Sequence, residues 1–219
     1  MPVVTVKPPQ LPAKWRNASI WALYVLGLLP AVWFFYLGAT GELGVNPIKE
    51  FEHLLGTWAL RFIIATLAVT PLRDLLGINW IRYRRALGLL AFYYVMMHFA
   101  VYMILDRGLD LNAIIADIIR RWFITIGMAA LVMLVALAVT SNSASIKRLG
   151  KNWQRLHKLM YPIAAAGALH YYLAVKSITF EPFIYIALIV VLLAYRPLAP
   201  FITGKGRKKA RHTPAPAIQ

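Results

Sequence analysis

No cysteine occurs among the 219 residues. That absence removes disulfides, iron–sulfur clusters and covalent c-type haem attachment together. Any metal or cofactor must therefore be held by histidine, methionine or oxygen ligands. Charge is thin at 15%, and acid is thinner still, with 8 Asp and Glu against 24 Lys and Arg. No glycine-rich dinucleotide fingerprint follows a strand; the closely spaced Gly204 and Gly206 sit in a polar tail. A phosphate-cradling loop, a serine–histidine–acid set and a zinc-protease motif are missing too, which leaves hydrolysis without a basis. The leader "MPVVTVKPPQLPAKWRN" is polar and proline-rich, unlike a cleavable signal peptide.

What is present is apolar. Hydrophobic residues make up 60% of the chain, and the mean hydropathy is +0.63. Such a composition belongs to integral membrane proteins. Runs long enough to cross roughly 30 Å of hydrocarbon recur at Ile20–Ala39, Phe51–Thr70, Ala86–Leu105, Trp122–Val139, Leu156–Val175 and Phe180–Leu198. The expected fold is an all-α, six-helix membrane bundle over residues 20–200. Residues 1–19 form a cytoplasmic N-terminal segment, and residues 201–219 form a basic, disordered cytoplasmic tail in which His212 is merely solvated.

The net charge of +16 suggests nucleic acid only until its distribution is read. With the N-terminus inside, 18 of the 24 Lys and Arg fall in inner segments, 5 in outer loops, and Arg61 alone lies within a span. Seven of the eight acids fall outside, leaving Asp74 inside. This is the positive-inside pattern of a bacterial inner-membrane protein with both termini cytoplasmic. The basic charge serves topology and contact with anionic lipid heads, not nucleic acid.

Polar, titratable groups in hydrocarbon need a reason. "RLHKLMYPIAAAGALHYYLAVK" carries His157 and His170 thirteen residues apart. That spacing rises roughly 20 Å and turns about 220°, so the two cannot grip one small site. His157 lies near the cytoplasmic face and His170 in the outer half. The third span runs the same way and places His98 at the depth of His170. Two parallel helices with imidazoles at matched depth suit axial ligation of a b-type haem between them. Zinc fits less well, because no carboxylate shares that depth in the third or fifth span. The rival reading is a small transporter or channel with histidine proton relays, which predicts an inverted repeat and buried counter-ions that the sequence does not display.

"EHLLGTWALRFIIATLAVTPLR", "RRALGLLAFYYVMMHF" and "ALAVTSNSASIKRLGKNWQRLHKL" together resemble the MsrQ (YedZ) family. These are haem-bearing membrane subunits of a methionine sulfoxide reductase system, within the ferric reductase-like transmembrane group. The resemblance covers roughly Ser19 to Leu198. It implies haem ligation by His98, His157 and His170, and electron transfer to a molybdenum-containing periplasmic partner of the MsrP type. It admits two donors, membrane quinol or a cytosolic flavin reductase, together with bound FMN. Oxidase relatives carry a second histidine thirteen before His98, where this chain has Arg85. The inner site then uses another ligand, binds weakly, or holds a flavin. Arg85 either contacts a haem propionate or flavin phosphate, or simply anchors the inner face. Arg61 calls for a propionate or a quinone carbonyl, and His53 either borders the outer haem or packs at the interface.

The segment Asp106 to Trp122 places Leu111, Ile114, Ile115, Ile118, Ile119 and Trp122 on one helical face. It reads as a helix lying flat in the outer interface, with Asp110 and Asp117 turned to the periplasm as a docking surface, or as a connector into the fourth span.

Overall fold

A computed structural model describes residues 12–175 and 179–203. Helix α1 spans Ala13–Thr40, α2 Pro47–Leu76, α3 Arg84–Ala100, α4 Leu111–Arg120, α5 Trp122–Val139, α6 Ser143–Leu149, α7 Lys151–Leu156, α8 Met160–Ala174 and α9 Glu181–Ile202. A 3₁₀ turn, Ile81–Tyr83, leads into α3, a π-helical turn, Val101–Asp106, prolongs it, and a second 3₁₀ turn, His157–Leu159, joins α7 to α8. The described residues contain no strand. The tail, with His212, lies outside the described residues.

Five helical stretches among the described residues are long and apolar enough to cross a membrane: Trp15–Thr40, Pro47–Leu76, Ile81–Asp106, Trp122–Val139 and Glu181–Ile202. The expected fifth span is α8, shorter at 15 residues and extended by the 3₁₀ turn that holds His157. The architecture is thus the expected all-α bundle, with two differences at its edges. Helix α1 begins at Ala13, not Ile20, and α2 runs through Pro71 to Leu76. Both α1 and α2 stop where glycine takes over: Gly41 and Gly77 adopt left-handed φ values of 77° and 72°, which a side chain would resist.

Helix α2 packs against α1, α3, α8 and α9, while α5 packs against α8 and α3. Leu55, Leu67, Val69, Leu90, Tyr94, Ile163 and Ile189 are fully buried at these seams. Lipid tails are as apolar as leucine, so close packing rather than water exclusion must hold the helices together. Gly27 shows how close: a Cβ there would lie 2.6 Å from Leu90 Cδ1. Opposite it, the Tyr94 hydroxyl donates to the Gly27 carbonyl at 2.8 Å and accepts from Ala31 N–H at 3.1 Å. The hydroxyl is inserted into the ladder of α1, one residue beyond Pro30, which has no N–H to give.

Tyr94→Phe is therefore expected to destabilise the docking of α1 by about 1–3 kcal/mol, the cost of leaving both groups unpaired in an apolar seam. Thermal unfolding of the purified chain in detergent measures this. An unchanged midpoint would show that Ala31 and Gly27 re-form a direct bond.

Candidate functional site

The tight pairs α2–α3 and α5–α8 each carry one histidine towards the end of the bundle where α4 lies. His98, in α3, presents Nδ1 to the backbone oxygen of Glu52 in α2 at 2.8 Å. His170, in α8, presents Nδ1 to the backbone oxygen of Phe123 in α5 at 2.6 Å. A carbonyl can only accept, so each ring holds its hydrogen on Nδ1 and keeps the lone pair of Nε2.

Helix carbonyls are ordinarily shielded, because the side chain four residues on leans back over that turn. Here that residue is glycine both times: Gly56 follows Glu52 and Gly127 follows Phe123. A Cβ at Gly56 would lie 3.1 Å from His98 Nδ1, and one at Gly127 would lie 2.8 Å from His170 Nδ1. The same device, a carbonyl bared by a glycine one turn later, therefore seats both imidazoles. Their ring centroids stand 6.2 Å apart with planes at 87°.

The other expected site residues fall in two places. His53 of α2 lies at the end of the bundle that holds His98 and His170, with Nε2 3.3 Å from the Tyr171 hydroxyl and its ring 5.5 Å from that of Tyr171. Tyr171 meets Tyr185 edge-on, and Arg61 Nε donates to the Tyr185 hydroxyl at 2.8 Å. The Arg61 guanidinium also reaches Glu181 at 4.0 Å and lies over Trp58. Its charge thus has partners within the chain, on the first turns of α9. His157 is apart, at the α6 end. Its ring stacks on Trp153 at 3.9 Å, and its Nε2 lies 3.2 Å from the Thr140 hydroxyl. The arginine whose charge acts on His157 is Arg84, whereas the exposed Arg85 acts on Tyr24 of α1. Consecutive helical positions point about 100° apart, which is why one of the two faces the bundle and the other leaves it.

The α4 segment forms a helix of its own, one of the two readings of its sequence, and departs from expectation in its charges. Asp110 is its cap, accepting from Asn112 and Ala113 N–H. Asp117 does not face solvent: it is 8% exposed. It pairs with Arg107 at 2.5 Å and Arg121 at 3.1 Å, and accepts from the Tyr102 hydroxyl. Arg107 continues to Asp106, which pairs with Lys49, itself 3.0 Å from Glu52. A carboxylate with two guanidiniums beside it is stabilised in burial, so Asp117 serves as an internal tie and offers no docking surface. The apolar stripe splits accordingly: Ile114 and Ile118 pack inward, while Leu111, Ile115, Ile119 and Trp122 stay exposed.

Sequence reasoning missed Gly56, Gly127 and Arg84. For the glycines a signal was present, since each interrupts an otherwise bulky apolar run at the depth of a histidine. Among the described residues no group of three or more His, Asp or Glu gathers to hold a bare metal ion. Two imidazoles at this spacing can, however, share one metal that brings its remaining ligands with it.

Residues 55–168 match the family described as ferric reductase like transmembrane component. A Rhizobium meliloti protein named "Protein-methionine-sulfoxide reductase heme-binding subunit MsrQ" is 67% identical over 188 residues, covering 86% of this chain and 87% of that protein. Proteins of the same name from Agrobacterium fabrum and Brucella ovis are 58% and 56% identical. They cover 93% and 94% of this chain, and 95% and 92% of their own lengths. Identity so high, spread over nearly the full length of each pair, extends well beyond a shared helical architecture, and the chain belongs to the MsrQ family of ferric reductase-like transmembrane proteins.

Proposed function

We propose that the chain is the haem-carrying membrane subunit of a methionine sulfoxide reductase system, a b-type cytochrome that passes electrons across the bacterial inner membrane to a periplasmic, molybdopterin-containing reductase of the MsrP type. The names of the relatives support the haem and the reductase system. The charge distribution supports the orientation, with the α4 end periplasmic and the α6 end and both termini cytoplasmic. The donor, quinol or a cytosolic flavin reductase, meets the chain at the inner end.

The observation that carries the reading is the spacing of the His98 and His170 rings. Metal–imidazole bonds run about 2.0–2.1 Å, and the ring centre lies roughly 1.1 Å further, so imidazoles on opposite sides of one metal have centroids roughly 6 Å apart. The measured separation is 6.2 Å. Each ring also donates its other N–H to a carbonyl, the arrangement that fixes the tautomer and orientation of a metal-ligating histidine. A haem bound there would supply a one-electron redox centre in the outer half of the bilayer. His98 and His170 would hold its iron, and the Glu52 and Phe123 carbonyls hold the two rings. The His53–Tyr171 and Arg61–Tyr185–Glu181 contacts line the neighbouring edge with groups able to donate hydrogen bonds.

His157 is the ligand candidate of an inner site, with Arg84 beside it in the role first considered for Arg85. Its Nε2 is engaged by Thr140, so ligation through that nitrogen requires the hydroxyl to turn away. Bound FMN at this end remains compatible with the family reading.

An absorption spectrum of the purified chain tests the reading directly. A Soret band with an α-band that sharpens on dithionite reduction is expected, and a folded but colourless preparation supplied with haem would refute it. His98→Ala and His170→Ala should each abolish the outer six-coordinate signal, while His157→Ala leaves it; if both outer variants keep the wild-type spectrum, the pairing is wrong. Gly127→Ala should lower haem affinity about tenfold or more, in the range for disturbed supporting groups. Gly56→Ala should cost less, because its Cβ has more room. Equal haem retention in the two variants and the wild type, measured by transfer to excess apomyoglobin, would show that the bared carbonyls do not matter.

A further inference from the structure

A turn of strained backbone folds α4 back over the end of α3. Gly108 and Leu109 both take positive φ there, 56° and 62°. Leucine resists that region, and such strain persists only where the surroundings fix it. Here Leu109 N–H donates to the Met103 carbonyl at 2.9 Å, and Asp110 N–H to the Arg107 carbonyl at 3.0 Å. The turn delivers Asp117 to a point between the helix that bears His98 and the helix that bears the Phe123 carbonyl.

Three donors converge on that carboxylate. Tyr102, four residues after His98 and so about one turn beyond it, donates its hydroxyl at 3.0 Å. Arg121, the N-cap of α5 two residues before Phe123, brings Nε to the other carboxylate oxygen at 3.1 Å. The Arg121 carbonyl in turn accepts from Ile124 and Thr125 N–H, in the opening turn of α5. Arg107 is the third donor, and Asp117 is its firm partner. It approaches Asp106 only at 3.4 Å, and its Nε makes no hydrogen bond. The surrounding seam is apolar, with Tyr102, Ile114 and Ile124 buried and Phe99 and Phe123 packed against them. Charges in so dry a seam interact far more strongly than in water.

We propose that Asp117 is a positioning residue for the proposed haem ligands. Through Tyr102 and Arg121 it fixes how far α3 stands from α5, and so sets the reach between the His98 and His170 rings. The inference rests on the haem reading above. His98 is seated on α2 and His170 on α5, so neither clamp by itself fixes the distance between the rings. A tie from α3 to α5 acts on that distance directly. Rings held with centroids at 6.2 Å can both reach one iron. Rings free to spread would give up one of the two bonds and leave the iron open on one side.

The test uses the full chain purified with its haem, as wild type and as the variants D117N, Y102F and R120Q. The readouts are the high-spin fraction of the oxidised form, CO binding by the reduced form, and haem transfer to excess apomyoglobin. CO needs an open iron, so the wild type should refuse it, whereas D117N and Y102F should bind it and show a high-spin fraction. Haem transfer from D117N should be faster by about tenfold or more, the range for lost supporting groups. Y102F leaves every charge in place and should lose less. R120Q removes an exposed charge from the same helix and should match the wild type. The double variant D117N/R121Q removes one of the cations that D117N leaves unpaired, yet the tie stays broken, so CO binding should persist. A closed, six-coordinate haem in that double variant would reduce Asp117 to charge compensation and overturn the proposal. So would D117N and Y102F forms that refuse CO and retain haem as the wild type does. Should D117N fail to fold, Y102F must still admit CO, and its refusal overturns the proposal. A wild type that takes up no haem refutes the proposed function and the positioning role together, whereas six-coordinate variants refute the positioning role alone.

Discussion

An imidazole N–H can bond a carbonyl in the middle of a helix only if nothing covers that carbonyl. In this bundle the condition is met where His98 meets Glu52 and where His170 meets Phe123, because Gly56 and Gly127 leave the next turn bare. Much else follows from that requirement. It brings α2 within side-chain reach of α3, and α5 within reach of α8. It also orients each ring by a helix backbone, which is the least mobile acceptor available in hydrocarbon. A site positioned on helices is held more tightly than one positioned on loops, and the proposed haem pair draws all of its supports from helices.

Several other polar groups of the spans are likewise satisfied from within the chain. Arg61 would be costly in lipid, yet its nitrogens reach Tyr185 and Glu181 on α9 and its plane covers Trp58. The Tyr94 hydroxyl bridges Ala31 N–H and the Gly27 carbonyl in the turn beside Pro30. The carboxylates near α4 lie in a row with Lys49, Arg107 and Arg121. That row starts one turn before Glu52 and ends at the residue two before Phe123, so it ties together the helices that supply both carbonyls. The ion pairs act as a brace across the proposed haem site, with Asp117 at the branch point.

The architecture was legible because hydrocarbon imposes length and composition on each span. The matched depth of His98 and His170 needed only the rise of 1.5 Å per residue and parallel spans. Other features depend on which way a side chain points across a seam, which periodicity alone does not fix. Arg84 and Arg85 are indistinguishable by composition, yet Arg84 is the one whose charge acts on His157. Asp117 read as a solvated charge, because nothing in a linear pattern announces that Arg107 and Arg121 will converge on it. The clamps lay in plain sight as "EHLLG" and "FITIG", but a glycine in a membrane span reads first as a packing residue.

The two ends of the bundle are built on different principles, and the difference bears on direction. At the proposed periplasmic end each histidine is clamped by a backbone acceptor and a bare glycine, so its Nε2 is set before any ligand arrives. At the inner end His157 rests on Trp153 and touches a hydroxyl that can rotate, while Trp153 Nε1 donates to the Thr140 carbonyl at 2.9 Å. No glycine bares a carbonyl for it among the described residues. The charge of Arg84 acts on it, and a cation beside the proposed inner site would favour the reduced, more negative form of a redox group held there. A rigid outer pair suits a fixed potential facing one partner protein. In the proposed function, an adaptable, electropositive inner end would suit a donor that must approach, react and leave.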